Sequence, residues 1–128
     1  MDKRLLQIIN QRQLASVMNQ TRWQQLMSRF SALADVDPEV RYKNIDSQQI
    51  YGFSQVWWDE LLQMAPAIEW LDLNPVKTEY RGRLVAPLIT DYSAVIEAVI
   101  RQVKVPFTRE GHYFRIWGYT DKGINFIE

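Results

Sequence analysis

Ala67-Ile68-Glu69-Trp70-Leu71-Asp72-Leu73 is the stretch on which the fold turns. Its side chains alternate with period two, the signature of a strand that lays one face on a core. Ile68 and Trp70 fall on one face, and Glu69, Leu71 and Leu73 on the other. Glu69 and Asp72 stand three positions apart, so a strand sends them to opposite sides. Asn74-Pro75 follows as a turn signal. Thr78 to Val85 is the next candidate strand, bounded by Pro87, and the short connection predicts a hairpin between the two.

Helices flank this strand region on both sides. Upstream, Trp23, Leu26, Met27, Phe30 and Ala34 recur at helical spacing, the clearest amphipathic stripe in the chain. Thr21 and Gln24 stand as in a capping box, and Asp35, Asp37 and Pro38 end the segment. An earlier helix is predicted over residues 3–18, with its apolar stripe broken near Arg12. Val40 to Ile45 alternates as a strand, Gln48 to Phe53 reads as a short strand or a loop, and Ser54 stands where it caps a short helix over Trp57, Trp58, Leu61 and Leu62. Downstream, Thr90 and Asp91 open a helix whose buried stripe is Val95, Ile96, Val99, Ile100 and Val103, with Pro106 as its stop. His112 to Tyr119 alternates again, with Phe114 and Ile116 opposite Tyr113, Arg115 and Trp117. Asp121-Lys122-Gly123 then turns the chain into Ile124 to Ile127. The expected fold is α+β: one domain over residues 1–128, a mostly antiparallel sheet with two N-terminal helices and one late helix packed on it.

Composition narrows the function classes. A 47% hydrophobic and 23% charged chain has ordinary globular make-up, which excludes wholesale disorder. Fifteen basic and fifteen acidic residues cancel, and a nucleic-acid binder draws most of its affinity from excess positive charge. With no cysteine there is no thiolate nucleophile, disulfide framework or Cys-based zinc site. Gln7 interrupts the only early apolar run, and no window reaches the roughly 18 apolar residues of a membrane span. A cytoplasmic protein without membrane contact or cofactor is the expectation.

Catalytic motifs are sparse. His112 is the single imidazole, and no Gly-x-Ser-x-Gly elbow, His-Glu-x-x-His or phosphate-cradling glycine loop accompanies it. Glu69 facing Asp59 or Glu60 would offer a carboxylate pair for acid–base work, but such pairs arise in any sequence and need a cleft. A small enzyme using Glu69 or His112 is thus an alternative, and the expectation is a protein that is not an enzyme. Arg81 and Arg83 on one strand face, with Arg115 and Trp117 on another, form a basic–aromatic combination able to stack bases. The plainer account is sheet packing, with the arginine heads reaching solvent.

Charge is segregated along the chain. Residues 1–43 hold seven basic and four acidic groups, residues 44–75 hold no basic and five acidic, and residues 76–128 hold eight basic and six acidic. The acidic segment also carries Tyr51, Phe53, Trp57, Trp58 and Trp70. Indoles and phenols concentrate at interface centres, and charge steers encounter. An acidic, aromatic surface suits a basic protein partner, and Asp46, Tyr51, Trp57, Asp59, Glu60, Glu69 and Asp72 are the expected contact set. The alternative is that the aromatics are core and the acids their solvated neighbours. Trp57 and Trp58 are adjacent, so burying both is hard and at least one is expected at the surface.

Met18-Asn19-Gln20-Thr21-Arg22-Trp23, Ile68-Glu69-Trp70-Leu71-Asp72 and Phe114-Arg115-Ile116-Trp117-Gly118-Tyr119 occur in that order. Thr90-Asp91-Tyr92 and Val105-Pro106-Phe107 stand between the last two. From about Asn19 to Tyr119 the chain resembles small stand-alone bacterial domains similar to the immunity proteins of contact-dependent inhibition and other polymorphic toxin systems. The resemblance implies an antitoxin of the cytoplasm, a toxin inhibitor that binds a cognate toxin domain and blocks its active site or substrate groove. It carries over no individual functional residue.

Overall fold

The computed structural model describes residues 2–121 and 123–128. Helix α1 (Lys3–Arg12) is capped by Asp2 and ends where Gln13 turns left-handed at φ 55°. The helix predicted to residue 18 therefore stops early, and the side chain of Arg12, its last residue, donates to Glu69 and to the Ile45 carbonyl. Strand β1 (Ala15–Ser16) follows, then helix α2 (Gln20–Ala32). Asn19, not Thr21, caps α2 by accepting from the Arg22 amide at 2.8 Å. Next come β2 (Val40–Asn44), β3 (Ile50–Ser54), α3 (Trp58–Gln63), a 3-10 turn at Ala65–Ala67, β4 (Ile68–Leu73), β5 (Val76–Glu79) and β6 (Leu88–Asp91). Helix α4 (Ser93–Val103) precedes β7 (Phe107–Glu110), β8 (Tyr113–Trp117) and β9 (Tyr119–Thr120).

Five strands form an antiparallel sheet in the order β3-β2-β4-β8-β7. The alternation in β4 and β8 sorts the two faces. Val40, Leu71, Leu73, Phe114 and Ile116 point to one side, each at 0% exposure, and meet α2, α3 and α4 through Phe30, Leu61 and Ile100. This buried apolar surface is the main stabilising term of the fold. The expected α+β architecture is thus observed. Helix α1 joins a satellite cluster in which Leu5 and Leu14 meet Ile45 and Tyr119, and the Tyr119 hydroxyl donates to the Pro66 carbonyl at 2.6 Å.

Four local expectations are corrected. The hairpin after β4 does not form with β4: β5 pairs with β6 as a separate two-stranded ribbon, and residues 80–87 are its loop. The sheet edge of β4 is already taken by β2 and β8, so the following chain has no place beside it. Ile68 and Trp70 do not share a face, because the register of β2 against β4 slips between Lys43 and Asn44 and leaves Glu69 without an opposite residue. Ile68 enters the main core, while Trp70 stays on the far side. Thr90 lies in β6, and it is Asp91 that accepts from the Ser93 amide at the start of α4. Residues 123–128 form no strand; Ile127 donates its amide to the Phe107 carbonyl. The predicted Asp121-Lys122-Gly123 turn includes Lys122, which lies outside the described residues.

Candidate partner-binding surface

The entry to α3 separates the adjacent indoles. Trp57 is extended and precedes the helix, whereas Trp58 is its first residue. Trp58 turns inward, is 7% exposed and stacks on Phe30 with ring centroids 5.4 Å apart. Trp57 is left 78% exposed. Asp59 and Glu60 occupy the first turn, where the helix dipole favours carboxylates. Both are exposed, and neither forms an ion pair among the described residues. Beside Trp57 opens a hollow of about 410 Å³ with Asp37 as a charged wall. A neighbouring hollow of about 350 Å³ has Asp59 as a charged wall. Among the described residues no basic side chain lines either. An exposed indole and unpaired carboxylates around these hollows can seat an arginine or lysine by charge and by cation–π contact.

The remaining expected contacts do not join this surface as one patch. Asp46 is exposed in the turn that follows β2. Tyr51 stacks on Tyr42 at 5.3 Å, and Tyr42 packs against the main core, so Tyr51 lies on the helix side of the edge strand. Glu69 and Asp72 are corrections, because the sheet consumes their charge. Asp72 has no exposure. It accepts from Arg41 Nη2 at 2.8 Å and Arg115 Nε at 2.7 Å, from β2 and β8 on either side. Glu69 accepts from Arg12 at 2.8 Å and Lys43 at 3.0 Å. Burial pushes its pKa up, but the hydrogen bonds from Arg12 and Lys43 outweigh that and hold it below its usual range. A carboxyl so held stays ionised and is a poor proton donor.

The basic–aromatic combination also resolves into packing. On the sheet face turned away from α2 and α4, Arg41, Asp72, Arg115 and Thr108 form one cross-strand row, and Lys43, Trp70 and Trp117 the next. The Arg115 guanidinium lies 3.9 Å from the centre of Trp70, and the Trp117 indole donates to Thr108 at 2.9 Å. With Trp70 only 6% exposed and Trp117 half-buried and hydrogen-bonded to Thr108, this stripe is engaged in sheet packing. Arg81 and Arg83 are not on a strand face; they sit in the loop between β5 and β6. His112 is exposed, with its ring 4.1 Å from that of Tyr113. Among the described residues no three His, Asp or Glu side chains converge as a metal site, and no helix is long and apolar enough to cross a membrane.

Sequence reasoning overlooked Asp37, taken only as a helix stop, and the exposed ribbon of β5 and β6. The ribbon's signal was present in Tyr80, Leu84, Val85, Leu88 and Ile89, apolar residues around Gly82 and Pro87 that a core strand would not punctuate so.

Fold and surface together define a small α+β domain with helices on one face of an antiparallel sheet and an indole set among free carboxylates at their edge. Residues 5–123 match the model of a family of unknown function, DUF6678, and the chain belongs to that family. Comparison with curated proteins and with solved structures gives no match.

Proposed function

We propose that this protein is a non-enzymatic binding module, an immunity protein that neutralises a basic toxin domain in the cytoplasm. The observation that carries the reading is Trp57, 78% exposed between unpaired Asp59 and Glu60 and the hollow walled by Asp37. Keeping a large indole in water is unfavourable unless a partner covers it. Carboxylates around it favour a cationic partner and repel nucleic acid. Toxin domains that act on nucleic acid present cationic substrate surfaces, and a surface of this kind competes for them by standing in for phosphate.

The test is growth rescue. The C-terminal domain of the protein encoded immediately upstream is expressed with and without this chain. The reading expects toxicity that the chain relieves by direct binding. An upstream domain that is neither toxic nor bound overturns it. In the same assay Asp59→Lys with Glu60→Lys locates the contact. Close interfacial charge pairs are worth about 1.5–7 kcal/mol, so binding should weaken about tenfold or more. Undiminished rescue by the folded double variant removes this surface as the interface.

A further inference from the structure

Among the described residues the β5–β6 ribbon pairs only with itself. Tyr80, Leu84, Val85, Leu88 and Ile89 on it range from 42% exposed at Leu88 to 99% at Leu84. A lone two-stranded hairpin is marginal in water, and apolar exposure this concentrated marks a contact surface. The arm is also cationic. Lys77, Arg81 and Arg83 stand against Glu79 and Asp91, with both arginines in the loop, and none of the five forms an ion pair among the described residues. Its base adjoins the acidic surface: Lys77 and Thr78 line a hollow of about 510 Å³ that shares Asp37 and Gln55 with the hollow at Trp57.

Two adjoining surfaces of opposite charge, each with exposed apolar groups, are complementary to the same pair turned over by a twofold axis. We propose that the chain forms a symmetric dimer in which each β5–β6 arm lies across the Trp57 surface of the other copy. Arg81 and Arg83 meet the carboxylates of Asp37, Asp59 and Glu60, and the apolar tip around Leu84 covers the Trp57 indole. One twofold contact then answers both exposed features at once, and each copy contributes both halves. Because the arm occupies the surface assigned above to the toxin, self-pairing and partner binding exclude each other. The dimer itself does not depend on the toxin reading.

Sedimentation equilibrium of the full chain, from micromolar to near-millimolar concentration, tests this without any toxin. A dimer that weakens with added salt is expected. Leu84→Asp, the pair Arg81→Glu with Arg83→Glu, and the pair Asp59→Lys with Glu60→Lys should each weaken it about tenfold or more, with circular dichroism verifying the fold. Each charge-reversed variant opposes like charge to like when alone. Mixed together, the two should dimerise again, because the acidic arm of one then meets the basic surface of the other. A chain monomeric at every concentration overturns the proposal, as does a dimer indifferent to all three variants. Failure of the mixture to restore pairing overturns the reciprocal geometry.

Discussion

Asp72 shows how the sheet uses charge internally. Its oxygens accept from Nε and Nη2 of both Arg41 and Arg115, at 2.7–3.1 Å. Ionised groups are buried only when paired and hydrogen-bonded, and here each arginine carries an aromatic wall as well: Phe53 lies 4.7 Å from the Arg41 guanidinium and Trp70 3.9 Å from that of Arg115. Asp72→Asn keeps the shape and removes the charge that holds both cations. Breaking a buried pair costs about 3–5 kcal/mol. The arginine side chains keep 31% and 17% of their exposure and can regain some water, so a loss of roughly 2–4 kcal/mol is expected by urea unfolding. A variant within about 0.5 kcal/mol of the parent would show the pair to be idle. The spacing of Glu69 and Asp72 predicts opposed directions, yet the register slip at Glu69 lets it bond Lys43, which sits on the same sheet face as Asp72. The burial of Asp72 was not legible either, because Arg41 and Arg115 arrive from 31 and 43 positions away, and strand order decides that meeting.

At the scale of elements, α2 and α4 were legible because their stripes follow the helical repeat and the core takes most of those residues: Trp23, Leu26, Met27 and Phe30 in one, Ile96, Val99, Ile100 and Val103 in the other, while Ala34, past the end of α2, and Val95 stay exposed. The edge strand β3 was ambiguous for a physical reason. Gly52 sits at φ 108°, and a Cβ there would collide with the Val40 carbonyl oxygen, so the strand depends on a glycine that weakens any strand pattern. The start of α3 divides two indoles that composition treats alike. Trp58→Ala should cost about 3–5 kcal/mol, since it empties a site stacked on Phe30. Trp57→Ala, measured on dilute protein, should stay within about 0.5 kcal/mol of the parent. Paired urea midpoints decide it. Equal losses at the two positions would mean that Trp57 is structural, and its role as a contact would fall with that result.

For the whole molecule, position along the chain proved a poor guide to position in space. The acidic middle third spreads over an edge strand, a surface helix and the central strand, and the central strand neutralises its own acids between flanking cations. The acidic surface survives only where α3 lies at the periphery, and there Asp37, from outside that third, joins it. The same topology sets a gradient of local stability. Strand β4 is paired on both edges, and its Ile68, Leu71 and Leu73 have no exposure. Its amides should exchange only on global unfolding, which costs about 5–15 kcal/mol in domains of this kind. The β5–β6 ribbon has one ladder and no core, so in dilute solution its amides should exchange by local opening, far ahead of β4. Hydrogen exchange read by mass spectrometry across a dilution series checks both claims. If the ribbon is a docking arm, its protection rises with protein concentration while that of β4 does not. If it exchanges as slowly as β4 at every dilution, it is held by the body of the fold, and its apolar residues need no second copy to cover them.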